Sequence, residues 1–221
     1  MNSTMEAVCT VCNKIRHQST QGISFQSLVK KIRKEFDNHG IFLIVRTHRK
    51  PSLQQEEFYV NAYYDPEDDN NFEIPIEVVI IHNFNKSVIW DKFHITNLLI
   101  QVYDAVVHEL KHQKQSRKKN HKSHWPHSNI VDKYLRDPDE IDAYAISIAI
   151  ELCRSIGKHR ALRYMHRFTS LSRYKIQHNL VSPNLYAYVK VFKNLEHPVL
   201  KKLAKKIYVR LRKVDTDNIF L

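Results

Sequence analysis

The stretch Val106-Val107-His108-Glu109-Leu110-Lys111-His112 places two histidines four residues apart, with a glutamate directly after the first. On a helix, positions i and i+4 share a face one turn apart, so both imidazoles reach the same point beside it. Two neutral imidazoles at that spacing suit one zinc ion, and the intervening glutamate is then placed to act as a base on a water at the metal. The flanking residues supply the helix. Ile95, Leu98, Leu99, Val102, Val106 and Leu110 return every three or four positions, which predicts an amphipathic helix from about residue 93 to about residue 117.

A catalytic-type zinc site takes three protein donors. Downstream, Asp137-Pro138-Asp139-Glu140-Ile141-Asp142-Ala143-Tyr144-Ala145 reads as the start of a second helix. Asp137 suits the N-cap, Pro138 the first turn, and Asp139 and Glu140 the positive end of the helix dipole. Ile141, Ala145, Ile148, Ala149 and Leu152 give this helix a buried face. Acids in a first turn also have a purely local role at the dipole, but beside an upstream H-E-x-x-H helix they become ligand candidates. Glu140 and Asp142 point about 200° apart on a helix, so only one can face the metal. The longer Glu140 arm better spans a gap between helices whose axes are about 8 to 10 Å apart. Asp142 is then left to orient a ligand histidine or to lie in solvent.

His108-Glu109-x-x-His112 followed by Glu140-Ile141-Asp142-Ala143-Tyr144-Ala145 resembles the small gluzincin-type zinc metallopeptidases, in particular short phage-encoded zincin-like proteins. The likeness covers residues 95 to 152 well and the remainder loosely. It implies an α+β, minimal zincin-like fold: a small antiparallel sheet packed on the H-E-x-x-H helix, then a helical C-terminal region. It also implies Zn2+ held by His108, His112 and Glu140, Glu109 as general base, a peptide or protein substrate, and, for a phage-encoded protein, the host cytoplasm. Two related patterns are absent. Lys118 stands where a metzincin carries its third histidine and Gln115 where it carries a glycine, and the N-E-x-x-[SA]-D string of the thermolysin pattern does not occur. Hydrolysis of a peptide also needs a donor for the developing oxyanion. Tyr144, His127 and Tyr134 are the candidates, and His127 and Trp125 are candidates for touching substrate.

With 221 residues, 43% of them hydrophobic, the chain reads most economically as one domain, residues 1–221. Within it an N-terminal helix and sheet run to residue 92, metal-site helices occupy 93–157, and a helical part covers 158–221. Three cysteines do not make a disulfide framework, and the first residues lack the apolar run and cleavage site of a secretory signal. The expectation is a soluble protein of a reducing, cytoplasmic setting, with no apolar run near the roughly 20 residues a membrane span needs. Cys9-x-x-Cys12 with His17 supplies only part of a four-ligand zinc site and Cys153 is remote, so two cysteines on one face of an N-terminal helix is the expected arrangement.

A formal net charge of +12 asks for a partner. Lys111, Lys114, Arg117, Lys118, Lys119 and Lys122 follow the metal motif, and a second run from Lys201 to Lys213 lies near the C-terminus. Such clusters attract phosphates or acidic proteins, more weakly as salt rises. A second class of function follows: a basic nucleic-acid- or partner-binding protein on the same scaffold, its metal structural or absent. Nothing in such a module calls for Glu109 between the histidines. The C-terminal run also reads as the solvated side of a helix whose apolar stripe is Leu200, Leu203, Ile207 and Leu211.

Elsewhere, residues 24 to 39 predict a helix capped by Ser24 and ended by Gly40, followed by strands at 41–47, 58–64 and 74–82. The family architecture suggests that the strand nearest the motif, Glu77 to Asn83, is a free edge, so that peptide adds to it as a further strand at Val79. Residues 65–71 read as an acidic loop. Residues 120–129, with His121, His124 and His127, read as a surface loop rather than a second metal site. Helices are predicted at 159–172, 183–195 and 198–213, with Pro183 and Pro198 in the first turns of the last two.

Overall fold

Capping and apolar periodicity lay down the helices. In the computed structural model, which describes residues 2–19, 22–65, 75–84, 88–119, 131–170 and 181–220, the protein is α+β, with eight α-helices among the described residues, two small sheets and a helical C-terminal region. The chain divides into two units: Met1–Ser123 with Phe220–Leu221, and His124–Ile219.

The first unit opens with α1 (Asn2–Gln18), whose buried face carries Val8, Cys9, Val11, Cys12 and Ile15. Its two cysteines are free thiols in that face, as the spacing predicts. After β1 (Ile23–Ser24), helix α2 (Phe25–Asp37) starts where Ser24 Oγ accepts a hydrogen bond from the Ser27 amide, and Phe25, Leu28, Ile32 and Phe36 form its buried stripe. Gly40, at φ +70°, then takes the left-handed turn that a side chain disfavours. Strands β2 (Leu43–Arg49), β3 (Phe58–Tyr63) and β4 (Ile76–His82) follow, and β5 (Ile89–Trp90) pairs antiparallel with β1. Gly22 permits that pairing, because a Cβ there would lie 2.9 Å from Ile89 Cγ2.

The larger sheet has the order β2-β4-β3, with β4 parallel to β2 and antiparallel to β3. This overturns the expectation of a free edge at Glu77–Asn83. Val79 sits opposite Arg46 of β2 on one side and Asn61 of β3 on the other, so the backbone there has no open side for a substrate strand. Pro75 falls one residue before the ladder begins at Ile76 and removes no ladder hydrogen bond.

Helix α3 (Lys92–Lys118) carries the motif and matches the predicted limits to within a residue at either end. Asp91 caps it by accepting from the His94 amide at 2.9 Å. An aromatic cluster pins the chain just before it, with Trp90 5.2 Å from Phe25 and 4.8 Å from Phe84 between ring centres. Ile95, Leu98, Leu99, Val102 and Val106 are buried, and α3 packs against α1, β3 and β4. Gln101 Oε1 accepts the Val60 amide of β3 at 3.0 Å, which ties the helix to the sheet edge.

Phe220 belongs to this first unit and is fully buried, with Arg16 5.0 Å above its ring and Tyr103 6.3 Å away. Phe220→Ala is expected to destabilise the unit by about 3–5 kcal/mol, the usual cost of deleting a buried phenyl ring. Urea unfolding checks it, and a loss under about 1 kcal/mol would mean that the ring is not held in a close-packed core.

In the second unit, α4 (Val131–Arg136) is followed by α5 (Pro138–Ile156), α6 (Lys158–His166), α7 (Pro183–Phe192) and α8 (Pro198–Lys213). Helix α5 is the hub. It packs on α4, α6, α7 and α8, and from Ala145 to Cys153 every residue is buried. The stripe of Leu200, Leu203, Ile207 and Leu211 on α8 is fully buried, as its periodicity predicts. Glu151 of α5 anchors α7: its carboxylate accepts from Ser182 Oγ, from the Asn184 amide at 3.3 Å and from Asn184 Nδ2 at 2.6 Å.

Candidate metal centre

The histidine half of the centre lies on α3. Burial of Val106 and Val107 sets the rotation of the helix, and this leaves His108, Glu109 and His112 half-buried at the border of the apolar face. The two imidazoles converge, their Nε2 atoms 3.1 Å apart and their ring centres 4.8 Å apart. Two nitrogens bound to one tetrahedral zinc at about 2.0–2.1 Å are about 3.3 Å apart, so the pair fits a shared ion with almost no movement. Without an ion the same contact is a hydrogen bond in which one ring donates to the other. Glu109 projects about 60–100° around the helix from the two rings, on the neighbouring strip of surface.

The acid half lies at the start of α5, and its local structure follows the expected helix-start chemistry. Asp137 Oδ1 accepts from the amides of Asp139 at 2.7 Å and Glu140 at 3.4 Å, and Pro138 occupies the first turn. Glu140 is 7% exposed, a burial that a carboxylate tolerates only with strong partners. One partner is Tyr134 of α4, whose hydroxyl donates to the Glu140 carboxylate and also hydrogen-bonds Tyr144. Burial, and then the charges of Tyr144 and Glu140, push the Tyr134 phenol far above its ordinary range, so it stays a protonated donor at any working pH. Tyr144 lies one turn beyond Glu140 on the same face, its ring 6.4 Å from Tyr134 and 5.4 Å from Tyr188.

Asp142 points elsewhere. Its Oδ1 accepts from an Arg210 guanidinium nitrogen at 2.7 Å and lies 3.2 Å from Lys206 Nζ, both on α8. Its side chain is only 16% exposed, which corrects the expectation that it could lie in solvent. The reason is the 200° turn that separates it from Glu140: that turn aims Asp142 at the basic border of α8.

Tyr188 of α7 completes the tyrosine group and was not singled out by the sequence reading. Its phenol is likewise raised, by burial first and then by Tyr144, Glu140 and Asp137. The only sequence signal was its place on the apolar stripe of α7 with Leu185, Val189 and Phe192. His127 and Trp125 lie outside the described residues, as does most of the acidic loop. Val79 is excluded from strand addition by its two paired neighbours. No described helix is long and apolar enough to cross a membrane. Compared with known proteins, the chain matches no protein family, no curated protein and no solved structure.

Proposed function

We propose that the protein is a zinc-dependent metallopeptidase of gluzincin type, its ion held by His108, His112 and Glu140. The observation that carries this reading is the 3.1 Å separation of the two Nε2 atoms on one helix face, the spacing of two ligands of a single tetrahedral ion. Two half-buried histidines and a buried glutamate also make a donor set of the kind that takes zinc in hydrolytic sites. Bound zinc supplies a Lewis acid and a water of lowered pKa.

The chain's own residues divide the remaining work. Glu109 accepts the proton of the attacking water and delivers it to the leaving amine. Tyr134 holds the Glu140 carboxylate in one orientation through its hydroxyl, the outer-shell support that ligand carboxylates need. Tyr144, one helical turn from Glu140, is the donor for the developing oxyanion. The three free cysteines suit a reducing compartment, and the cytoplasm is the setting proposed.

Purified without a metal-affinity tag, the protein is expected to contain about one zinc per chain and to hydrolyse casein in a chelator-sensitive way. Elemental analysis gives the stoichiometry. Absence of zinc from the native protein, with none taken up on reconstitution, removes the metal centre and the peptidase reading with it.

A further inference from the structure

The outer faces of α6 and α8 carry a surplus of positive charge that the peptidase reading leaves unused. Neither helix contains an acidic residue. On α6 and just past its end, Arg160, Arg163 and Arg167 are exposed and fall within about 60° of one another around the helix. On α8, Lys202, Lys205, Arg212 and Lys213 are exposed and fall within about 100°, on the side opposite the buried leucines. The two helices pack against each other in the second unit. Other cations of these helices are already engaged: Lys206 and Arg210 with Asp142, Lys201 with Glu196, and Lys158 with the Val214 carbonyl. None of the outward seven forms an ion pair among the described residues.

From this division of paired cations and outward, unpaired ones, we propose that the α6–α8 face binds the phosphate backbone of a nucleic-acid duplex. The α8 row runs about 16 Å from Lys202 to Lys213, long enough to meet successive phosphates. Arginines at three- and four-residue spacing offer forked donors to phosphate oxygens. Val209 is the one exposed large apolar residue among these rows, which leaves a protein partner without a buried anchor and a bilayer without a wedge. The outward rows carry no aromatic ring, and single strands are held chiefly by stacking on such rings, so a duplex is the better fit.

The test is fluorescence anisotropy of the full-length protein with a labelled 20-base-pair DNA duplex, between 50 and 200 mM salt. With four to seven phosphate contacts, affinity is expected to fall about 10²–10⁴-fold over that range. Changing Lys202, Lys205, Arg212 and Lys213 to glutamine is expected to flatten the slope of log affinity against log salt by about 3–4. Lys114→Gln, Arg117→Gln, Lys118→Gln and Lys119→Gln together remove the same charge from the end of α3 and its C-cap and should leave the slope nearly unchanged. If the α8 variant fails to fold, the Arg160, Arg163 and Arg167 glutamine triple carries the same comparison. Equal losses from the α8 and α3 sets would show attraction by net charge alone and overturn the assignment. So would tighter binding to polyglutamate, to anionic vesicles or to a single strand than to the duplex.

Discussion

Glu109→Gln is expected to lower peptide hydrolysis by at least about 10²–10⁴-fold, the range for removing a general acid–base group, while the zinc content stays unchanged. The amide preserves the volume of the side chain and its place beside the two imidazoles, but it cannot take the proton. His108→Ala should behave differently. It removes one of two nitrogens that stand 3.1 Å apart on α3, and both zinc and activity are expected to go. Elemental analysis and casein hydrolysis on the same preparations separate the two roles. Equal activity in wild type and the glutamine variant would show that Glu109 is not the base, or that the hydrolysis comes from a contaminant.

Glu140→Ala is expected to weaken zinc binding by more than about 100-fold, beyond the 10–100-fold typical of an outer-shell partner. Asp142→Ala should change zinc affinity by less than about 10-fold, because its carboxylate is committed to Arg210 and Lys206 on α8. Its penalty should appear as stability instead. Leaving two partly exposed cations without their acid costs about 1–3 kcal/mol, less than the loss of a fully buried pair. Competition against a chromophoric chelator measures the affinities, and urea unfolding measures the stabilities. The reverse order of affinities would transfer the ligand role to Asp142.

These two carboxylates show how far the residues alone carry. Their opposite directions follow from helix geometry and could be read from the chain, as could the capping role of Asp137 and the first-turn place of Pro138. The partners of Asp142 could not. Lys206 and Arg210 lie more than sixty residues downstream, and their only local signature is a place at the border of an apolar stripe, where a long side chain can turn inward. Tyr134 is a similar case: α4 is six residues long and too short for periodicity to reveal, so its tyrosine stood among three oxyanion-donor candidates with nothing to mark it as a partner of Glu140. The two-residue strands β1 and β5 were missed for the same reason.

The sequence by itself determined the limits of α2, α3 and α8 to within two residues, their buried faces and the shared face of His108 and His112, because these depend on contacts within a few residues and on caps that sit beside the backbone groups they satisfy. Only the tertiary structure decided the order of the strands. Residues 74–82 have the same pattern whether the strand lies at an edge or in the middle, since alternation reports which face is buried and not who pairs at each side. That choice rests on hydrogen bonds to residues more than thirty positions away in β2, and it closes the backbone at Val79 to any added strand.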